Sequence, residues 1–374
     1  MFKHIARILL GLTFVFSGFV KGIDPWGSAY KFTDYFTAFQ MPWLTDLAFM
    51  LGVLLAAAEF AIGVALLFNF FLRITSWFAL IFMVFFTGLT LVLAITNPVT
   101  DCGCFGDALI ITNWQTFYKN IVLLALAIVV FVKRKTFAPK DGPILSIALT
   151  AMTIVFYFYL VDYSYNHLPI IDFSPYKVGV NIPEAMKVPE NAPKAIYENI
   201  LVYKNTKTGE EKEFTEANYP WQDTLNWAFV KMGDQKVIQE GYTPPIHDFR
   251  IETPDGEDIK DFFLYDEKYT FMVIASNLQK SDREGMKRIA ELAKEATSRG
   301  YNFIGLTASS PESFEAFKQE TGAQFDFFNT DEITLKTIVR SNPGLIVLKN
   351  GTILRKYHFN DIPKPEELDA QLDL

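Results

Sequence analysis

Five long apolar runs decide what this chain can become. They lie near residues 5–20, 44–68, 74–96, 118–132 and 144–161. A helix rises about 1.5 Å per residue, so about 20 apolar residues cross the hydrocarbon of a bilayer. The first and fourth runs are short and extend into their flanks. Residues 163–374 instead hold most of the acids, prolines and charged turns. The pattern predicts a membrane α-helical bundle followed by a soluble part. Lys3 and Arg7 ahead of the first run also suit a secretory signal. Lys21-Gly22-Ile23-Asp24-Pro25 follows, however, where a small-residue cleavage site would stand, so we read a retained first helix.

Basic residues set the expected orientation. Lys3, His4 and Arg7 precede the first span, Arg73 lies between the second and third, and Lys133, Arg134, Lys135 and Lys140 separate the fourth from the fifth. All fall on one side if every span crosses, and that side is expected to be the cytoplasm. Loops 21–43 and 97–117 and everything after 162 then face outward. In a bacterium this places the N-terminus in the cytoplasm and the soluble part in the periplasm, with the spans in the inner membrane. The net charge of -8 gives no basis for nucleic-acid binding.

The chain has two cysteines, Cys102 and Cys104, in the outward loop Asp101-Cys102-Gly103-Cys104-Phe105-Gly106-Asp107. A structural zinc site needs about four ligands, so no metal is expected. A bond closing so short a loop would contribute only about 1–2 kcal/mol, against about 5 for a loop of a hundred residues. A pair that braces weakly suits exchange, which makes Cys102 and Cys104 the candidate catalytic residues. Two thiols that simply pack, an inert bond, and a metal site completed by Asp101, Asp107 and a borrowed ligand stay open beside that reading. Asp101 and Asp107 count against a reactive thiol, because like charge raises its pKa.

The Asp-Cys-Gly-Cys-Phe-Gly string after a third span resembles the DoxX-like and methylamine-utilisation MauE-like membrane family. Arg7, Leu10-Gly11, Ser17-Gly18-Phe19, Lys21, Asp24-Pro25, Glu59, Gly63 and the segment Trp114 to Asn120 add to the likeness, over roughly residues 5–133. The resemblance implies a four-helix core, here with a fifth transmembrane helix, and links to periplasmic thiol oxidation and quinone-coupled electron flow. Lys21, Asp24 and Trp114 are the candidates for holding a quinone such as menaquinone, and fixing the loop is the structural alternative for Lys21 and Asp24.

Glu59 is the one acid deep in an apolar run. Counting about 15 residues from the outer end puts it about 22 Å down, near the depth of Arg7. A structural Arg7–Glu59 pair is the expectation, with a proton relay as the alternative.

From Pro245 onward strands and helices alternate. Strands are expected at 247–252, 270–275, 302–307, 324–328, 345–349 and 352–358, and helices near 281–297, 312–321, 332–339 and after Pro363. Asn350-Gly351 is a hairpin signal. The order resembles the thioredoxin superfamily, which implies that Pro343 is the groove-lining cis proline. Where that family carries Cys-x-x-Cys, this chain has Ser276-Asn277-Leu278-Gln279, so the domain cannot perform dithiol exchange. Pro343 and Asn277 are its candidate partner-binding residues. The expected domains are 1–135, 136–162, 163–244 (a small α+β insert with a hairpin over 202–214) and 245–374.

Two functions compete. In the first, Cys102 and Cys104 pass electrons between protein thiols and a membrane quinone. In the second, the chain is a non-enzymatic, membrane-anchored subunit of a periplasmic protein-maturation or export complex. Its degenerate thioredoxin-like domain then serves as the platform for clients or partners.

Overall fold

The computed structural model describes residues 1–137, 142–239 and 241–372. Lys140, counted above among the basic residues, lies outside them. Five helices among the described residues are long and apolar enough to cross a membrane. They are α1 (Phe2–Ile23), α3 (Ala48–Phe68), α4 (Leu72–Thr96), α5 (Asn113–Lys133) and α6 (Pro143–Asn166). Between α1 and α3 the loop read at 21–43 folds into a further helix, α2 (Pro25–Ala38). Its start was legible: Asp24 caps it, accepting from Gly27 N at 2.8 Å, and Pro25 takes the first-turn position where its missing N–H costs nothing.

Glycines set the register of α1 against α3. A Cβ at Gly18 would lie 2.6 Å from Phe60 N, and one at Gly63 would lie 2.5 Å from Val15 N. Without a hydrophobic drive between helices in lipid, such small residues allow the backbones to meet and pack. The antiparallel register puts Ser17 level with Glu59 and Arg7 level with Leu66 and Leu67. Polar contacts join α4 to α5, where Asn120 Nδ2 donates to Phe86 O at 3.3 Å and to Thr90 Oγ1 at 3.2 Å.

The chain separates into two compact units, residues 181–248 and the remainder. The smaller unit holds a one-turn helix α7 (Ile182–Ala185) and five strands, β1 (Ile196–Glu198), β2 (Ile200–Asn205), β3 (Glu211–Thr215), β4 (Trp227–Met232) and β5 (Lys236–Gln239). They form a β3-β2-β4 sheet and a β1-β5 ribbon, and β2 and β3 make the expected hairpin.

The larger unit continues with α8 (Lys260–Leu264), β6 (Tyr269–Ile274), α9 (Arg283–Ser298), β7 (Asn302–Thr307), α10 (Phe314–Thr321), β8 (Asp326–Asn329), α11 (Glu332–Ile338), β9 (Gly344–Lys349), β10 (Thr352–His358) and α12 (Leu368–Gln371). The sheet order is β10-β9-β6-β7-β8, with β6, β7 and β8 parallel and β9 and β10 antiparallel. This is a thioredoxin-like α/β arrangement, and every residue of β6 is buried. The strand expected at 247–252 is absent. Only Glu252 makes bridges, to Asp258 and Asn329. Phe249 and Ile251 are apolar because they are buried as irregular chain, which gives the same alternation as a strand.

Candidate functional site around the cysteine pair

The cysteine loop is tied at its base. Asn113 Nδ2 donates to Asn97 Oδ1 and to Val99 O, both at 2.8 Å, and Thr112 and Gln115 form a capping box that starts α5. Asp101 Oδ1 accepts from Gly103 N at 2.8 Å, while its Oδ2 pairs with Lys31 of α2 at 2.7 Å. Gly103 has φ +61° and sits against the Lys31 stem, where a Cβ would come within 2.9 Å of Cγ. Glycine is required there on both counts.

Three helices hold the two cysteines. Tyr35 of α2 donates to Cys102 O at 2.7 Å, and Ser17 of α1 lies 2.7 Å from Cys104 O. Cys102 Sγ lies 3.5 Å from Thr116 Oγ1 of α5 and accepts from Cys104 N at 3.3 Å. These contacts set the acidities apart. The Cys104 side chain, donating to the Cys102 sulfur, is the largest influence lowering the Cys102 thiol, with Thr116, Lys119 and a backbone N–H adding to it against burial. The result is about 6. The same hydrogen bond, together with burial and the neighbouring thiolate, raises Cys104 well above its ordinary value. These influences favour Cys102 over Cys104 as the ionised member of the pair.

The acids that counted against reactivity are neutralised. Asp101 pairs with Lys31, and Asp107 pairs with Arg340 of the thioredoxin-like part at 2.7 Å. Arg340 also reaches Asp24 at 3.0 Å and lies over the Tyr30 ring.

The Arg7–Glu59 pair is not formed. Glu59 takes Lys21, whose Nζ lies 2.9 and 2.8 Å from its two carboxylate oxygens, and Arg7 donates to the carbonyls of Leu66 and Leu67. The depth count failed because α3 begins at Ala48 and the glycine register places Glu59 beside Ser17, ten residues from Arg7. Lys21, at the helix end, turns its long stem back to reach the acid.

Beside the sulfurs lies a cavity of about 580 Å³. Its wall is largely aromatic and aliphatic, from α2, α3 and α4, and Ser17, Lys21, Lys31, Tyr35, Glu59, Lys119 and Asn120 supply polar groups. Leu54 of α3 and Phe85 of α4 line it while at least half exposed, so it reaches the lipid-facing surface between those helices. Of the three residues expected to hold a quinone, Lys21 lines this cavity. Asp24 does not, being held by Arg340, nor does Trp114, which is half exposed and stacks on Tyr118. Tyr35, Lys31 and Lys119 carried no signal of their own in the sequence, because their roles depend on α2 and α5 closing over the loop.

In the thioredoxin-like part, Asn342–Pro343 is cis. The loop that replaces Cys-x-x-Cys is fastened to this segment. Asn342 Nδ2 donates to Asn277 O at 3.0 Å, and Asn277 Oδ1 accepts from Lys280 N at 3.1 Å. Pro343 and Asn277 are therefore brought together.

Residues 1–133 match the family model of methylamine utilisation protein MauE, and residues 197–240 match a domain of unknown function, DUF8463. Protein TlpB of Flavobacterium psychrophilum is 27% identical over 173 residues, 44% of this chain and 45% of that protein. The matched region thus spans less than half the length of that relative. A solution structure from Bacteroides thetaiotaomicron, described as a candidate protein disulfide isomerase, is 16% identical with a TM-score of 0.26. It covers 34% of this chain and 82% of that one. The chain is thus a MauE-like membrane region fused to a thioredoxin-like domain, the second part resting on the strand order given above.

Proposed function

We propose that this protein is a membrane thiol-disulfide oxidoreductase in which Cys102 and Cys104 pass electrons from protein thiols to a membrane quinone. The observation that carries the reading is the shared cavity: both cysteines and Lys21 line one apolar space that reaches the lipid-facing surface. That space fits a quinone. It is about 580 Å³ and largely apolar, and Lys21, Lys119 and Asn120 are among its polar lining residues. A quinone would supply a two-electron, two-proton acceptor. The chain's own part is to keep Cys102 ionised, hold Cys104 beside it as hydrogen-bond donor, and present both sulfurs to the cavity. Lys3, Arg7, Arg73 and Arg134 lie at the helix ends away from the cysteine loop. This supports a cytoplasmic N-terminus in a bacterial inner membrane, with the loop and soluble domain in the periplasm. Periplasmic proteins are then the clients.

A second reading draws on Arg340. The cysteine-free thioredoxin-like domain is fastened to the membrane part by a buried ion cluster, as suits a non-enzymatic binding subunit. One experiment separates the two. The purified protein in lipid nanodiscs is treated with a dithiol reductant, then with a menaquinone analogue, and the thiols are counted by alkylation and mass shift. Oxidoreduction predicts a pair that the dithiol reduces and only the quinone reoxidises. A pair unchanged by both reagents supports the binding subunit and removes the oxidoreductase.

A further inference from the structure

The oxidation of a dithiol releases two electrons and two protons, and the acidities above account for one proton only. Cys102 sheds its own at neutral pH, whereas Cys104 keeps its proton up to the resolving step. Something near Cys104 must take it. Ser17 Oγ lies 2.7 Å from Cys104 O and 2.8 Å from Glu59 Oε2, and Lys21 Nζ lies 3.1 Å from the same Ser17 oxygen. All three residues line the cavity that both cysteines line. Glu59 is 5% exposed, and an acid in a membrane helix is retained against a large desolvation cost. Lys21 also acts electrostatically on Cys104, favouring its ionised form.

We infer that the Ser17–Lys21–Glu59 cluster is the proton-accepting site for Cys104, the resolving thiol of the pair. The inference rests on the thiol-exchange reading but not on the identity of the acceptor. In the step, the Cys104 S–H bond breaks and its proton passes to the Glu59 carboxylate. The Cys104 sulfur then attacks a Cys102 sulfur already joined to a partner sulfur. The Cys102–Cys104 bond forms as the partner leaves as a thiolate, taking the electron pair. In reverse, protonated Glu59 returns the proton to Cys104 as it leaves. Lys21 and Ser17 are positioning residues, holding the carboxylate in place.

The test uses the reduced full-length protein in nanodiscs and a small aromatic disulfide, 4,4′-dithiodipyridine, followed by stopped-flow absorbance. The first equivalent of pyridinethione reports attack by Cys102, and the second reports resolution by Cys104. Glu59→Gln should leave the first phase within about twofold and slow the second about a hundredfold at pH 7, the low end for general-base assistance. Raising the pH to 9 should restore much of the second phase, because the ionised fraction of Cys104, which needs no acceptor, rises by about a hundredfold over two pH units; a merely structural loss would not recover. Glu59→Asp should rescue in part. Ser17→Ala, which leaves the ion pair intact, decides the matter if Glu59→Gln does not fold: a slowed, pH-restored second phase supports the site, and an unslowed one overturns it. Two fast phases in Glu59→Gln overturn the inference alone. Absence of both phases in the unmodified protein overturns the thiol-exchange reading beneath it.

Discussion

In the reduced protein at pH 7, iodoacetamide should modify Cys102 at least about threefold faster than Cys104. With its thiol near 6, Cys102 is about nine-tenths ionised at that pH, whereas Cys104, held well above 9, is ionised below about one part in a hundred. Ionisation alone therefore favours Cys102 by about a hundredfold or more. Nucleophilicity takes some of this back, because a less basic thiolate attacks more slowly by about half a log unit per pKa unit. The balance still favours Cys102. The rate plotted against pH should show a midpoint near 6. Cys104→Ala removes the strongest influence on Cys102, the hydrogen bond from the Cys104 side chain, and should move that midpoint up by more than one unit. Cys104→Ser keeps a hydroxyl donor and should fall between the two. Mass spectrometry of the alkylated peptide assigns the site at each pH. A midpoint at 8 or above in the unmodified protein would refute the assignment of Cys102 as the attacking thiol.

The membrane part of the fold was legible because its signal is one-dimensional. Each span is a run long enough to satisfy its own backbone in lipid, and no distant residue alters that requirement. The thioredoxin-like domain was legible for a related reason: its strands are short buried runs separated by helical periodicity and closed by Asn350-Gly351. The strand assigned at 247–252 failed where burial mimicked pairing, as Phe249 and Ile251 show. The site was half legible. Cys102 and Cys104 announce themselves, and Lys21 lines the cavity beside them. The partner of Glu59 did not follow from the sequence, because it depends on how α1 slides along α3. That register is set by Gly18 and Gly63 touching the opposite backbone, not by counting depth. The acids beside the cysteines misled for the same reason. Charge proximity along the chain is visible, while the cations that cancel it, Lys31 from α2 and Arg340 from more than two hundred residues away, are not.

Arg340→Ala should loosen the cysteine loop by about 3 kcal/mol, read as about a hundredfold faster hydrogen exchange in segments 101–108 and 336–342 at neutral pH. Arg340 is 8% exposed and bonds two carboxylates from different elements, Asp24 at the α1–α2 junction and Asp107 in the cysteine loop. Removing one partner of a buried ion cluster costs about 3–5 kcal/mol because the remaining charge stays desolvated. The low end applies because Asp107 keeps 29% of its side-chain surface. Arg340→Lys should recover only part of the loss, since one ammonium cannot span both carboxylates as the planar guanidinium does. The pH dependence carries a definite sign. Burial already raises Asp107 above the ordinary carboxylate value, although Arg340 opposes it. A raised folded-state value means the folded protein binds the proton more tightly than the unfolded chain. This contribution stabilises at low pH and is lost as pH rises from about 4, the unfolded value, through the raised one. Without the guanidinium the rise is larger. The Arg340→Ala defect should therefore be greatest at pH 7 and shrink toward pH 4. An exchange rate unchanged by Arg340→Ala, or a defect that grows on acidification, would show that the thioredoxin-like domain does not hold the loop. If the defect appears with this pH profile, the cysteine-free domain has a physical task without any redox chemistry of its own. It supplies the cation that pairs with Asp107, and it fastens the loop in which the two cysteines sit.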